Sequence, residues 1–386
     1  MDRPVRHVGD DTLQRRIARL IREVKTARSF NGSAEICIGT SIGAVRNDNE
    51  DRAVIVFAGY PNSPDRSFAL GVLCDGMGGL ASGDEAAVLG LSVFTSRVLR
   101  TPRLSPAERL RTAVWAANDA VYRQFRGRSG ATLSAIFVAR SGDLWGTNVG
   151  DSRIYGITAE REPIQLTRDD TLAGFLGSDG RGGENLNRLV QFIGMGEGIE
   201  PHIVRPERRE FRTILLTSDG IHGSAPEAFT HVVRASANNP ELIRRLVALN
   251  ELMGGRDNGT AVTLPTGLDG QSDDGEQGLN LTFWSASDRL EVWIPILAEP
   301  SRREGVPSAL SDATNTAPSP PVSSPISGAP SQRRASKNPS KKKGKPKRAA
   351  KSSRADATRK GAGEDGNLPL DEDDRPSLDI KFPGSN

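Results

Sequence analysis

The sequence has few of the residues that would indicate a secreted or a zinc-dependent protein. Of its 386 residues only two, Cys37 and Cys74, are cysteines, and four are histidines. Two cysteines are too few for a disulfide framework and are typical of a reducing compartment. The four histidines do not have the paired spacing of a zinc site. Disulfide-rich scaffolds and histidine-based zinc enzymes are therefore excluded.

Long apolar runs are also missing. No segment approaches the roughly 18 apolar residues that a membrane-spanning helix needs. The first ten residues, MDRPVRHVGD, lack the apolar core of a secretory signal. We therefore expect a soluble, cytoplasmic protein with no transmembrane segment.

Basic charge is concentrated in one short stretch near the end of the chain. The formal net charge is +3, from 51 Lys and Arg against 48 Asp and Glu. Residues 333–354 hold eleven of the basic residues and no acid, which leaves 40 basic against 48 acidic residues elsewhere. The remainder is mildly acidic, so contact with a polyanion such as nucleic acid or acidic lipid is predicted only for this basic tail.

Composition divides the chain into three parts. Residues 1–34 form an N-terminal extension, in which apolar residues at helical spacing over 11–28 predict an amphipathic helix. Residues 35–298 alternate between strand-like and helical patterns and are long enough for one large domain. Residues 299–386 are rich in Pro, Ser and Lys and nearly free of large apolar side chains, which predicts a disordered tail.

Within the central domain, four segments have the pattern of helices and two late segments have the pattern of strands. The predicted helices are 82–99, 105–127, 225–236 and 239–253, and the late strands are LNLTFWSA and RLEVWIPIL after residue 278. The second helix has Ser105 as its N-cap and Pro106 at its first position.

Several apolar, strand-like segments begin or end at an aspartate. FALGVLC runs into Asp75, FRTILLTS runs into Asp219, and the strand AVTL closely follows Asp257. An ionised carboxylate at the mouth of a core strand is costly unless it is paired or binds a metal, although a single Asp-Gly is usually just a turn. Carboxylates without His or Cys suit magnesium or manganese. Two such ions about 4 Å apart can promote hydrolysis of phosphate esters.

Seven ordered motifs carry a resemblance to a known family. They are GAVRNDNED, CDGMGG, GATLSAI, NVGDSRIYG, LTRDD, LLTSDGI and DNGTAVTL. Their order and approximate spacing resemble those of the type-2C, metal-dependent serine/threonine protein phosphatases, especially the compact bacterial ones, over residues 36–264. The resemblance implies an α+β fold: a four-layer α-β-β-α sandwich of two antiparallel sheets flanked by helices.

The resemblance also implies a centre of two Mn²⁺ or Mg²⁺ ions. At matching positions, Asp51, Asp75 and the carbonyl of Gly76 would hold one ion. Asp75, Asp219 and Asp257 would hold the other, so that Asp75 bridges the pair.

Three more residues match positions around that centre. Arg46 stands where the family has an arginine that grips phosphate, and we assign it with Asp75 to catalysis. Glu50 would act through bound water. Asp151, together with Asp219, matches a third metal position of the bacterial members. From the residues alone, a surface role for Arg46 and a purely structural role for Asp151 within GDSR stay open.

The implied activity is hydrolysis of phosphoserine and phosphothreonine on proteins by a metal-activated water, reversing a cognate bacterial Ser/Thr kinase. The alternatives are a pseudophosphatase that only binds phosphoproteins, and a polyanion binder that acts through the basic tail. No core metal aspartate is lost, which disfavours a pseudophosphatase. A cysteine-based phosphatase is excluded, because Gly43 and Leu80 stand where it would need an arginine after Cys37 or Cys74.

Overall fold

The chain alternates between strands and helices. The computed structural model describes residues 10–22, 28–78, 82–176, 184–207, 210–268 and 278–295. The helices are α1 Asp10–Arg22, α2 Gly83–Arg100, α3 Pro106–Phe125, α4 Leu172–Leu176, α5 Asp219–His222, α6 Pro226–Ala235 and α7 Asn239–Leu252. The strands are β1 Arg28–Gly32, β2 Cys37–Ser41, β3 Arg52–Gly59, β4 Phe68–Cys74, β5 Gly76–Gly78, β6 Ser129–Ala131, β7 Leu133–Ala139, β8 Leu144–Val149, β9 Arg153–Ile157, β10 Pro163–Gln165, β11 His202–Val204, β12 Thr213–Thr217, β13 Gly259–Pro265, β14 Gly278–Trp284 and β15 Arg289–Pro295.

The strands form two large sheets. The first has the order β1-β2-β13-β12-β9-β10, and the second has the order β11-β8-β7-β4-β3-β14-β15. A short separate pair joins β5 to β6. All of these neighbours run antiparallel. The predicted pair of antiparallel sheets flanked by helices is confirmed.

Three buried apolar clusters separate four layers. One cluster, which includes Leu91, lies between α1, α2, α3 and the second sheet. The next, which includes Leu73 and Val262, lies between the two sheets. The third, which includes Leu246, lies between the first sheet and the helices α5, α6 and α7. Because each sheet is covered on both faces, the layers follow the order helix, sheet, sheet, helix.

Strand β4 shows how the sequence produces this arrangement. All seven of its residues are buried. Successive side chains of a strand point to opposite faces. Phe68, Leu70 and Val72 accordingly join the cluster under the helices, whereas Ala69 and Leu73 join the cluster between the sheets. A strand buried on both faces is apolar throughout, which is why FALGVLC lacks any alternation of polar residues.

The start of α3 follows from its first residues. The Ser105 hydroxyl accepts a hydrogen bond from the backbone N–H of Glu108, whose carboxylate in turn accepts from the N–H of Ser105. Pro106 occupies the first turn, where its missing N–H costs no helical hydrogen bond. The predicted cap is confirmed, and the four helices predicted in the central domain match α2, α3, α6 and α7.

The N-terminal helix is part of the packed structure. Ile17 and Ile21 of α1 are fully buried in the cluster shared with α2 and the second sheet. The amphipathic helix predicted over 11–28 is present as α1, while residues 23–27 lie outside the described chain. Strand β1 pairs along its whole length with β2. The domain boundary predicted between residues 34 and 35 therefore falls between two paired strands.

The two strands predicted after residue 278 form a hairpin, β14 and β15, that adds to the β3 side of the second sheet. The residues of the predicted disordered tail lie outside the described chain. Among the helices given above, none is long and apolar enough to cross a membrane.

Candidate metal centre

Two of the predicted aspartates lie at one end of the second sheet. Asp51 precedes β3 and Asp75 follows β4. These strands are antiparallel neighbours in which Arg52 lies opposite Cys74. The residue before β3 and the residue after β4 therefore emerge side by side.

The first sheet supplies three more aspartates by the same geometry. Strand β12 ends where its two neighbours begin, because Thr217 lies opposite both Arg153 of β9 and Ala261 of β13. The aspartates beside these positions are Asp219, Asp151 and Asp257. The carboxylates of the first sheet thus also collect at a single end.

Contacts across the sandwich bring the two groups together. The hydroxyl of Ser218 donates to Oδ2 of Asp51 at 2.7 Å. Asp75 and Asp219, one from each sheet, are close enough for a carboxyl to carboxylate hydrogen bond. The acidic centre, by which we mean Asp51, Asp75, Asp151, Asp219 and Asp257, therefore lies where the ends of both sheets meet.

The carboxylates of the second sheet are strongly perturbed. Burial raises the pKa of Asp75 well above its usual range, and the charges of Asp51, Asp219 and other aspartates raise it further. Burial also raises the pKa of Asp51 to about 7, although the Ser218 hydrogen bond opposes the shift. Both effects disfavour the charged form, and a bound cation would reverse them.

The aspartates of the first sheet show the same pattern. Burial raises the pKa of Asp151 to about 8, with a further contribution from Asp219. Burial raises the pKa of Asp219 to about 6, assisted by the charge of Asp257. Perturbation of several neighbouring carboxylates at one position marks a candidate functional site.

The donor set fits a hard divalent cation. Oδ1 of Asp51 and Oδ1 of Asp219 are buried and have no hydrogen-bond partner among the residues described. Such orphaned carboxylate oxygens are costly unless something positive contacts them. The set contains oxygen donors only, as magnesium and manganese prefer. Within the described ranges, no three His, Cys, Asp or Glu side chains lie close enough together to form a complete metal site by themselves.

Arg46 stands at the edge of the acidic centre. Its Nη2 donates to Oδ2 of Asp257 at 2.8 Å, and its Nη1 lies 3.7 Å from Oε2 of Glu50. Burial opposes its charge, but the carboxylates of Asp257 and Glu50 outweigh that effect and raise the pKa of Arg46. The side chain is 42% exposed, so a charged guanidinium is accessible to a ligand from solvent.

Glu50 and Gly76 lie in a tightly packed junction with the start of α2. Burial raises the pKa of Glu50, although Arg46 and a hydrogen bond from the Gly83 backbone oppose the shift. A Cβ added to Gly76 would lie 2.3 Å from the carbonyl oxygen of Gly83 and 2.9 Å from that of Glu50. Glycine at position 76 therefore allows three backbone segments to meet beside the acidic centre.

Sequence reasoning missed the uncharged residues that hold these segments. Thr132 accepts from the backbone N–H of Asp75 at 3.0 Å and hydrogen-bonds the Ser152 hydroxyl at 2.7 Å. It thereby joins Asp75 to the loop that carries Asp151. The only sequence signal was its place in GATLSAI, which does not identify its partners.

Asn258 performs a similar task on the other side. Its Oδ1 accepts from the backbone N–H of Glu50 at 2.8 Å, and its Nδ2 donates to the carbonyls of Ile42 and Asp48 at 2.9 and 3.0 Å. This one buried amide positions the loop that carries Arg46. Its position directly after Asp257 was the available signal.

His222 does not join the acidic centre as a ligand. It is buried, and its Nδ1 lies 2.8 Å from the Thr217 hydroxyl. Burial lowers the pKa of His222 well below its usual value of 6.5, so the ring stays neutral. These contacts give His222 a structural role.

Comparisons with known proteins give consistent relatives. The chain is 31% identical over 232 residues to the serine/threonine protein phosphatase PstP of Mycobacterium tuberculosis, an alignment that covers 57% of this chain and 42% of PstP. It is 26% identical over 246 residues to the serine/threonine phosphatase Stp of Listeria welshimeri, which covers 59% of this chain and 94% of Stp. The chain thus spans less than half the length of PstP but nearly all of Stp. No family model matches.

Solved structures agree with the fold. The PPM Ser-Thr phosphatase MsPP from Mycobacterium smegmatis, solved in complex with cacodylate, superposes with a TM-score of 0.50 at 27% identity. The superposition covers 61% of this chain and 99% of MsPP. Taken with the two-sheet architecture, these relatives show that the chain is similar in sequence and in fold to the bacterial type-2C (PPM) serine/threonine phosphatases.

Proposed function

We propose that this protein is a metal-dependent phosphatase that hydrolyses phosphoserine and phosphothreonine in proteins. The observation that carries the proposal is the convergence of Asp51, Asp75, Asp219 and Asp257 from two sheets, with the charged Arg46 at their edge. Anionic groups that would bind cations thus lie directly beside a cationic group that would bind phosphate. The names of the relatives PstP and Stp support the same reaction.

We assign the cation ligands as the family resemblance implies. Asp51, Asp75 and the carbonyl of Gly76 would hold one Mn²⁺ or Mg²⁺, and Asp75, Asp219 and Asp257 would hold a second. When bound, two such ions supply a water of lowered pKa and stabilise negative charge on the transferred phosphoryl group. The raised pKa values of Asp51 and Asp75 support the assignment. Repulsion between neighbouring carboxylates causes part of each pKa shift, and bound cations would relieve that repulsion.

Two further carboxylates have supporting roles in this proposal. Glu50 accepts a hydrogen bond from the start of α2 and faces Arg46, which suits a residue that orients water at the edge of the centre. Asp151 interacts electrostatically with Asp219 and would share a third cation with it.

Arg46 would orient the substrate. A guanidinium offers a planar fork of N–H donors that matches two oxygens of a phosphoryl group. Its contacts with Asp257 and Glu50 hold the fork at the edge of the acidic centre and keep it charged. A phosphoryl group bound there would lie beside the acidic centre, close to any cations that its carboxylates hold.

The partners follow from this reaction. The substrates would be phosphoproteins, and a cognate Ser/Thr kinase would supply them. A cytoplasmic location remains a prediction from the low cysteine content, and polyanion contact remains a prediction from the basic tail.

The proposal is tested by hydrolysis of para-nitrophenyl phosphate and of a phosphothreonine peptide by the full-length chain, with EDTA and with added MnCl₂. We expect turnover only with manganese, and a loss of at least about a hundredfold in Asp75→Asn, because a ligand shared by both ions is removed. Asp119→Asn is the matched control, since Asp119 is exposed on α3 and lies 3.8 Å from the guanidinium of Arg123 on the same helix. Peptide binding without turnover would identify a pseudophosphatase and overturn the proposal.

A further inference from the structure

A cavity of about 320 Å³ lies at the end of the second sheet that is opposite the acidic centre. It is lined by Tyr60, which follows β3, and by Ser67, which precedes β4. Asp51 and Asp75 flank the other ends of the same two strands. At about 3.3 Å per residue, the strand from Ser67 to Asp75 separates the two places by roughly 26 Å. The volume is in the range of sites for small molecules, which begins at about 300 Å³.

Three arginines line the cavity, and each is stacked on an aromatic ring. Arg66 lies 5.0 Å from the ring centre of Tyr60, Arg109 lies 4.5 Å from that of Phe68, and Arg205 lies 4.8 Å from that of Trp145. A cation–π contact of this kind restrains the guanidinium. Three groups of N–H donors are therefore held around one space.

Arg109 is the deepest of the three. It is only 5% exposed, and its Nε and Nη2 donate to the carbonyl of Val98 at 3.0 and 2.7 Å. No carboxylate in the described chain forms an ion pair with it. Burial lowers the pKa of Arg109 to about 10, with the nearby Arg66 adding to the shift and Tyr60 opposing it. Two guanidinium groups thus repel each other at one cavity, and an anion between them would remove that repulsion.

The acidic residues of the cavity neutralise this charge only in part. Asp143 accepts from Nη2 of Arg205 at 2.9 Å and from the Ser141 hydroxyl at 3.0 Å. Asp65 is the other carboxylate in the lining, so two carboxylates face three arginines there. The excess positive charge lies toward Arg66 and Arg109.

We propose that this cavity binds the phosphate group of a small anion, held between the guanidinium groups of Arg66 and Arg109 at the end of the sheet remote from the acidic centre. The bound group would be either inorganic phosphate or the phosphate of a small monoester. The same guanidinium N–H donors would bind both. Tyr60 also lines this cavity. The proposal does not depend on the phosphatase reaction.

The test measures phosphate binding at this cavity separately from phosphate binding at the acidic centre. Full-length protein carrying Arg46→Ala is titrated with inorganic phosphate in EDTA, at ionic strength held constant with chloride. Heat of binding and tryptophan fluorescence are measured, and Trp145→Phe identifies the signal from the cavity. Glycerol 3-phosphate in a parallel titration distinguishes a monoester from free phosphate. In the Arg46→Ala protein we expect saturable phosphate binding that quenches the fluorescence of Trp145. Adding Arg66→Ala should weaken the affinity about tenfold, because one charge-assisted contact is lost.

Arg123→Ala, which removes an exposed arginine of α3, is the matched control and should leave the affinity unchanged. Arg66 is exposed, so its replacement should leave the melting temperature near that of the parent, and circular dichroism checks this. Binding that is equally strong in Arg66→Ala, as attachment to the basic tail would be, overturns the proposal. So does an Arg46→Ala protein that shows no saturable binding. Because neither cations nor turnover enter the measurement, both outcomes are independent of whether the protein is a phosphatase.

Discussion

The hydroxyl of Ser218 donates to Oδ2 of Asp51 at 2.7 Å while its oxygen accepts from the backbone N–H of Thr260 at 2.9 Å. A residue at the end of one sheet thereby fixes a carboxylate that precedes a strand of the other sheet. The free Oδ1 of Asp51 is left as the oxygen that a cation could contact.

We predict that Ser218→Ala raises the manganese concentration needed for half-maximal activity by about 10- to 100-fold, as is typical when a group that orients a metal ligand is removed. The measurement is initial rate against MnCl₂ concentration. Ser236→Ala is the control, because it removes another buried hydroxyl, which donates to the carbonyl of Val232 at the end of α6 at 2.7 Å. An unchanged manganese requirement would mean that Ser218 does not position Asp51.

Removal of one buried carboxylate should stabilise the protein when no divalent cation is present. The folded-state pKa of Asp75 is raised, so its ionisation at neutral pH opposes folding, and this contribution grows as pH rises from the unfolded value toward the folded one. We expect Asp75→Asn to raise the melting temperature in EDTA by roughly 2–4 °C, equivalent to about 1 kcal/mol. Differential scanning calorimetry checks this, with Asp119→Asn as a neutral control. A lower melting temperature would contradict the repulsion described here.

His222 should make stability depend on pH. Its folded pKa is lowered, so on acidification through the unfolded value of about 6.5 only the unfolded chain gains a proton, and stability falls by up to about 1.4 kcal/mol per pH unit. In His222→Asn we expect the loss of unfolding free energy between pH 6.5 and 5 to be smaller by up to about 2 kcal/mol. Urea titrations at several pH values measure it. His231→Asn, at an exposed position of α6, is the comparison, and equal pH slopes for the parent and His222→Asn would refute the assignment.

Asn258 should contribute to both stability and substrate binding. Asn258→Ala removes three hydrogen bonds to the loop of Arg46, for which we expect about 2–4 kcal/mol of lost unfolding free energy. Because Arg46 is then less well positioned, KM should rise more than kcat falls. Asn258→Asp separates the contribution of the accepted hydrogen bond from that of the two donated ones. Its carboxylate can still accept from the N–H of Glu50 but cannot donate to the carbonyls of Ile42 and Asp48. Intact stability in Asn258→Ala would show that the loop is held by other contacts.

Gly76 should not tolerate a methyl group. Gly76→Ala would force its Cβ against the backbone of Gly83, which we expect to cost about 1–3 kcal/mol and to lower activity by displacing the start of α2. Gly90→Ala in the middle of α2 is the control, because its nearest neighbour would be an ordinary contact at 3.4 Å. That change should be neutral or stabilise by about 0.5–1 kcal/mol, as alanine suits a helix interior better than glycine. Chemical denaturation of the two variants decides between these outcomes.

The sequence predicts most of the fold because local patterns determine its elements. β4 is apolar from end to end, α3 begins with a recognisable cap, and the aspartates follow or precede strands at positions that antiparallel pairing then aligns. The candidate ligands are identifiable for the same reason: a charge at the mouth of a buried strand is unusual enough to stand out.

The residues that escaped prediction act on partners distant in the chain. Ser218 contacts a carboxylate 167 positions away, and Thr132 contacts a backbone group 57 positions away. Hydroxyl residues are common in loops, and nothing local distinguishes these two from others. The cavity of Arg66 and Arg109 is similarly invisible in sequence, since its cations come from a loop and a helix that only the folded sheet brings together.

The acidic centre draws Asp51 and Asp75 from one sheet and Asp219 and Asp257 from the other. A cation held between them would tie the two halves of the sandwich together at one end, in a chain whose Cys37 and Cys74 are both free thiols. Such a chelate link has to open before the sheets can separate, so it would slow the rate of unfolding as well as shift its equilibrium. The lifetime of the folded protein would then depend on how much metal is available around it. The same ion that supports catalysis would also make the protein more resistant to proteolysis.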